Sequence, residues 1–228
     1  NGRPKNTEKA IELLTQSSEL GCRYATYLLA QCYLNGEGVQ KDEAQAIKLL
    51  RISHSQGYTD ATYLLAHCIR NMIGISPEDF SAKTLEESRK LFKIAVEKGH
   101  ALASYELGTI FNQNNELFVY KQKAFQLFEV AANQNYPQAL TELGIFYELG
   151  NSVTKDQQKA FKLYQKAVNL GDIKGLYHLG MCYIEGIGVE PNYEKGRNLL
   201  EEVTSENKSD NKNANNTKET YEAKYQLG

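Results

Sequence analysis

The chain has 228 residues, of which 26 are basic and 28 are acidic, so its formal net charge is −2. Such a balanced composition does not predict the basic face that phosphate-dominated nucleic-acid binding needs. No apolar run approaches the roughly 18 residues of a membrane span, so the sequence predicts no direct membrane insertion.

A repeated pattern then governs the chain from its first residues to its last. The pattern [A/G]-x-[Y/T]-x-L-[G/A] begins six times, at Ala25, Ala61, Ala103, Ala139, Gly175 and Ala223. Subtracting neighbouring starts gives steps of 36, 42, 36, 36 and 48 residues. A second register, K-A-x-x-L followed by an apolar residue, runs between these starts. A fixed period of this size is typical of a solenoid.

Each period reads as two helices joined by a turn. In the unit from Ala139, apolar or small residues fall at positions 0, 1, 4, 5, 7 and 8, which is a helical stripe. A turn with glycines at Gly186 and Gly188, or Gly36 and Gly38, then precedes the second helix. We refer to the first helix of each period as helix A and to the second as helix B.

Helix B has predicted start and stop signals in nearly every period. Good N-cap residues stand four residues before the second register, at Asn6, Asp42, Thr84, Asp156 and Asn192. Thr84 with Glu87 also predicts a capping box. Residues suited to a left-handed cap end helix B at Gly21, Gly57, Gly99, Asn135 and Gly171.

The registers predict a single repeat array over residues 1–228. Its parts are a partial repeat, helix B alone, at 1–21; repeats at 22–57, 58–99, 100–135, 136–171 and 172–204; a flexible polar loop at 205–218; and the start of a further repeat at 219–228. The repeat at 58–99 carries six extra residues around SPEDFS. Because both terminal units are incomplete, we expect further repeats of the same chain beyond both ends.

The segments ATYLLAQCYLNGEGVQKDEAQA and GLYHLGMCYIEGIGVEPNYEKG resemble the Sel1-like repeat, a relative of the tetratricopeptide repeat. This resemblance implies an all-α fold: a right-handed α-solenoid of antiparallel helix pairs without β-sheet. It also implies a non-catalytic scaffold or adaptor that binds a protein partner, as a peptide or a helical segment. The alternative is a regulatory or substrate-docking segment of a larger enzyme, or of an endoplasmic-reticulum quality-control complex.

The sequence offers no strong candidate for catalytic, cofactor or metal chemistry. His178 and Cys182 stand four residues apart, as a metal half-site would, but no second half accompanies them. Cys182 instead shares one repeat position with Cys32 and Cys68, where other repeats carry Ile or Phe, which predicts buried reduced thiols. The absence of paired cysteines favours a reducing, cytoplasmic compartment, with the endoplasmic-reticulum lumen and secretion left open.

The predicted partner site follows from the helical repeat of helix A. Counted from the first small residue as zero, positions −1, 6 and 10 point away from the buried stripe. In related two-helix repeats helix A lines the concave groove, so these positions are predicted to contact the partner. The set is Gln31, Asn35, Asp60, His67, Asn71, Thr109, Gln113, Gln138, Ile145, Leu149, Lys174, Met181 and Glu185.

Overall fold

The computed structural model describes residues 6–79, 81–113 and 118–209. These residues form eleven α-helices and no strand. The helices are α1 (Thr7–Glu19), α2 (Arg23–Asn35), α3 (Glu43–Ser55), α4 (Thr59–Arg70), α5 (Ala82–Glu97), α6 (Ala101–Gln113), α7 (Phe118–Asn133), α8 (Pro137–Leu149), α9 (Gln157–Asn169), α10 (Ile173–Glu185) and α11 (Tyr193–Ser209). The chain divides into two compact units, unit 1 up to Leu107 and unit 2 from Gly108.

Unit 1 contains α1 to α5 and the first half of α6. Each of α2, α3 and α4 packs on the helix before it and the helix after it, which is the stacking of successive hairpins. The stripe predicted from the repeat forms the core, where Leu50, Leu65, Ile69 and Phe92 are fully buried.

Unit 2 contains the second half of α6 and α7 to α11, and it is built on the same plan. Consecutive helices pack from α7 to α11, and α8 also contacts α10, the next helix A. Phe128, Leu140, Phe146 and Tyr164 are fully buried there. The predicted fold class, an all-α solenoid of helix pairs, is confirmed.

The predicted helix boundaries are confirmed where side chains cap them. The carboxylate of Asp42 accepts from the backbone N–H of Gln45 at 2.8 Å, and Asp156 accepts from that of Lys159 at 2.9 Å. Asn6 and Asn192 cap α1 and α11 in the same way. The left-handed stops are also confirmed: φ lies between 80° and 86° at Gly21, Gly57, Gly99 and Gly171, and it is 60° at Asn135.

The N-cap predicted at Thr84 is wrong. Helix α5 begins at Ala82, so Ser81 is the N-cap and Thr84 lies three residues into the helix. The hydroxyl of Thr84 accepts from the backbone N–H of Ser81 at 2.6 Å, which satisfies a donor at the helix start. The reason lies in the inserted residues, because some of them extend α5 to 16 residues where α3 has 13.

Glycine is required in two of the A-to-B turns, at Gly74 and Gly188, because each of these turns lies against the preceding helix B. A Cβ added to Gly74 would overlap the backbone carbonyl of Glu43, the first residue of α3. At Gly188 it would overlap the carbonyl of Gln157, the first residue of α9. These turn glycines therefore set the contact between one hairpin and the one before it.

Helix α11 continues to Ser209, five residues into the segment for which a loop is predicted. Glu206 and Lys208 are good helix formers, which favours this continuation of the helix. The remainder of that loop and the further repeat predicted at 219–228 lie outside the described residues.

Candidate partner-binding surface

Each helix A has one face whose residues are exposed or half-buried. At 100° per residue, positions −1, 3, 6 and 10 fall within about 60° of one another, and we call them the helix-A face. None of these positions is buried in α2, α4, α8 or α10. The sequence prediction omitted position 3, although the same angular arithmetic includes it. The added residues are Leu28, Leu64, Glu106, Glu142 and His178.

In unit 1 the predicted face residues are polar and engaged in local hydrogen bonds. The Gln31 side-chain amide donates to the Tyr27 hydroxyl at 2.9 Å. The Asn71 amide donates to the His67 carbonyl at 2.9 Å and lies 3.2 Å from the imidazole Nε2 of His67. The Asn35 amide donates to Glu37 at 3.1 Å. Asn35 and Asn71 are exposed, whereas Gln31, Asp60 and His67 are half-buried.

In unit 2 the predicted face residues are more apolar and carry charge at the edges. Leu149 is 60% exposed, while Ile145 and Met181 are half-buried. Lys174 and Glu185 are exposed, and the Lys174 ammonium lies 2.6 Å from Glu142, which joins α10 to α8. Of the remaining members, Gln113 is exposed, and Thr109 and Gln138 are half-buried.

Next to the helix-A face, the residue at position 2 of one helix A contacts the residue that directly precedes or starts the next helix A. In unit 1 the rings of Tyr27 and Tyr58 lie 5.1 Å apart, and Tyr63 stacks on His100 at 4.6 Å with an angle of 17°. In unit 2 the hydroxyl of Thr141 donates to the carboxylate of Asp172. These contacts pack successive helices A together within each unit.

The environment of His100 keeps its imidazole neutral. Its Nδ1 accepts from the backbone N–H of Ala103 at 3.1 Å, so the ring proton resides on Nε2, 3.5 Å from a carboxylate oxygen of Asp60. Burial lowers the pKa of His100, an effect that Asp60 opposes. The ring therefore acts as a hydrogen-bonding cap for α6 at neutral pH.

The thiols in the shared repeat position are mostly buried. Burial raises the pKa of Cys68 to about 11 and that of Cys182 to about 12, so both remain protonated. Cys32 is half-buried, and Cys22, which lies outside that position, is exposed. His178 stacks on Tyr164 with ring centroids 5.0 Å apart.

Within the part of the chain that the structure describes, no group of three or more His, Cys, Asp and Glu side chains could hold a metal ion. None of the described helices is long and apolar enough to cross a membrane.

Solved structures with the same fold include three bacterial proteins. A Sel1 repeat protein from Oxalobacter formigenes has a TM-score of 0.73 and 23% identity over 87% of this chain and 79% of its own. The antigen c5321 of uropathogenic Escherichia coli, which displays an SLR fold, has a TM-score of 0.77 and 26% identity over 91% of this chain. The chain spans only 43% of that structure. A putative Sel1 repeat protein from Klebsiella pneumoniae has a TM-score of 0.52 and 23% identity over 93% and 98% of the two chains.

No curated protein sequence matches the chain significantly. The family model described as "Sel1 repeat" matches residues 1–22, 23–58, 101–136, 137–172 and 173–202. The unmatched residues 59–100 contain α4 and α5 with the inserted segment between them, and they still form the same kind of helix pair. Because the matches cover well over half of its length, the chain belongs to the Sel1 repeat family.

Proposed function

We propose that the chain is a non-catalytic scaffold that binds a segment of a partner protein on its helix-A faces. Sel1 repeats commonly serve as protein-interaction scaffolds. The observation that carries the proposal is the helix-A face: none of its four positions is buried in α2, α4, α8 or α10. A series of such faces suits an extended or helical protein segment.

His67 and Asn71 offer the sharpest place to test this proposal. They stand one helical turn apart on α4, and neither forms part of the fully buried core. Replacing both with glutamate adds two carboxylates to the face of unit 1. We expect the helix content to remain unchanged, because charged residues are tolerated on a solvated helix face.

The experiment is affinity capture with the 228-residue chain, followed by mass spectrometry. The variant His67→Glu/Asn71→Glu should lose most of the partner that the unaltered chain captures, with the same far-ultraviolet circular dichroism. The matched control is Gln122→Glu/Gln126→Glu, which adds the same charges at the same spacing on exposed positions of α7, a helix B. Equal capture by both variants would refute the assignment of the partner to the helix-A face.

A further inference from the structure

One cluster in unit 1 combines an exposed tyrosine ring, a half-buried tyrosine ring and a carboxylate. We call Tyr24, Tyr58 and Asp60 the Tyr24 patch. The ring of Tyr24 meets that of Tyr58 edge-on, with centroids 5.9 Å apart, and the Tyr58 hydroxyl donates to Asp60 at 2.9 Å. Tyr24 is 53% exposed, and the Asp60 side chain is 48% exposed. The three side chains therefore form a continuous surface that solvent reaches.

The negative charge of Asp60 has no cationic partner among the described residues. Its one ion-pair contact is with His100, which is neutral for the reasons given above. Two cationic side chains of unit 1 contact the turn before α4 instead: Arg23 donates to the carbonyl of Gln56 at 3.4 Å, and Lys98 donates to that of Gly57 at 3.3 Å.

The phenol of Tyr58 stays uncharged, so it adds no second anionic group to the patch. Burial, together with the Asp60 carboxylate, raises the pKa of Tyr58 to about 12, so the hydroxyl keeps its proton and its hydrogen bond to Asp60. The carboxylate is thereby held in one orientation, and its remaining lone pairs can accept from a ligand.

We propose that the Tyr24 patch binds a guanidinium group, specifically an arginine side chain of the protein partner. A planar guanidinium can stack on the exposed ring of Tyr24 while its N–H groups donate to Asp60. An ammonium group is a compact, strongly hydrated point charge and offers no plane for stacking. This assignment rests on the proposed function, since it names the chemistry of the partner at one part of the helix-A face.

Unit 2 supplies an internal comparison for this assignment. The corresponding positions there are Gln138, Asp172 and Lys174, so an ammonium stands where unit 1 has the Asp60 carboxylate. Asp172 is only 6% exposed, and Lys174 is paired with Glu142. In unit 2 a cationic side chain would meet the like charge of Lys174. It would also find no aromatic ring at the corresponding positions. The patch is therefore specific to unit 1.

The test is a titration of the ¹⁵N-labelled 228-residue chain with the peptide acetyl-Ala-Arg-Ala-amide. We expect saturable shifts of the amide signals of Tyr24, Tyr58 and Asp60. The same peptide with citrulline, which is neutral and nearly isosteric, should bind about tenfold more weakly, as should the arginine peptide to Asp60→Asn. Tyr24→Phe should bind like the unaltered chain and Tyr24→Leu several-fold more weakly, because the ring face carries the stacking.

Glu190→Gln, which removes an exposed carboxylate from unit 2 outside the helix-A face, is the matched control and should leave the titration unchanged. Equal affinity for arginine and citrulline peptides would overturn the proposal, and so would unchanged affinity in Asp60→Asn. A lysine peptide that binds as tightly as the arginine peptide would overturn the guanidinium assignment. None of these results depends on the capture experiment with His67→Glu/Asn71→Glu, so the two proposals can fail separately.

Discussion

The contact between a helix B and the following helix A is polar in unit 1 and apolar in unit 2. In unit 1 the hydroxyls of Ser18 and Thr26 lie 2.8 Å apart, and Nδ1 of His54 lies 2.8 Å from the Thr62 hydroxyl. In unit 2 the residue at the position of Thr62 is Leu176, which is 5% exposed and packs beside Val168. The same helix pairing is thus built from two different kinds of interaction.

The difference teaches where each unit is vulnerable. Apolar burial stabilises in proportion to the area removed from water, so a truncated leucine loses that area and leaves a cavity. A buried hydrogen bond contributes little in net terms, but the loss of one partner leaves the other unsatisfied. The stability of unit 2 should therefore depend on side-chain volume at this contact. The stability of unit 1 should depend on whether each hydrogen-bond donor keeps its acceptor.

The largest effect is expected from Leu176→Ala in unit 2. Leu176 packs with Tyr177 and Val203, so the truncation should lower the free energy of unfolding by about 2–4 kcal/mol. Urea denaturation followed by circular dichroism measures the change, and hydrogen exchange of the α10 amides locates it. Leu170→Ala makes the same truncation at a site that is 44% exposed, and it should cost less than about 1 kcal/mol. Equal losses would contradict the apolar character of this contact.

The next largest effect is expected from Thr62→Val in unit 1. The Thr62 hydroxyl donates to the carbonyl of Tyr58 at 3.0 Å and so accepts from the Nδ1–H of His54. Removing it should cost about 1–2 kcal/mol, because Nδ1–H loses its acceptor. The double variant His54→Leu/Thr62→Val replaces both partners with apolar groups and should recover most of the loss. Strictly additive losses in this cycle would show that the two side chains are not coupled.

The sequence predicts the regular features of both units, because a cap or stop is a local signal. Asn135 is an example: its position in the period predicts a left-handed helix end, and its φ is 60°. Ser81 was missed because the inserted segment shifts the start of α5. The stacking of Tyr63 on His100 joins residues 37 positions apart, and no repeat position indicates a histidine there. That no lysine or arginine of the described residues pairs with Asp60 also depends on tertiary contacts, because Arg23 and Lys98 bind backbone carbonyls instead.

A smaller effect of opposite sign is expected from the turns. At the turn position occupied by Gly38, Gly74 and Gly188, the turn after α8 in unit 2 has Ser152, with φ of 59° and a buried hydroxyl that has no hydrogen-bond partner among the described residues. Ser152→Gly should raise the free energy of unfolding by about 0.5–1 kcal/mol, because glycine adopts positive φ without strain. Gly188→Ser should instead destabilise unit 2, since its Cβ would overlap the Gln157 carbonyl. Urea denaturation of both variants tests the contrast, and a loss of stability in Ser152→Gly would contradict it.

The smallest effect is the pH dependence of stability, which we expect from the polar contact of unit 1 and not from the apolar contact of unit 2. Burial lowers the pKa of His54, and the charges of Lys98 and Arg51 add to this effect while Glu87 opposes it. The unfolded chain, with an ordinary histidine pKa of about 6.5, then binds the proton more readily than the folded chain. The stability that the neutral ring provides is present above that pH, and it is lost as pH falls towards the folded-state pKa.

Urea denaturation at pH 7.5 and pH 5.5 should therefore show a larger loss for the unaltered chain than for His54→Leu/Thr62→Val. His100 is present in both proteins, so the difference between them reports His54. Leu176→Ala should follow the unaltered chain across this pH range, because the contact it weakens contains no titrating group. Identical pH dependence in the double variant and the unaltered chain would contradict the lowered pKa of His54 in the folded chain.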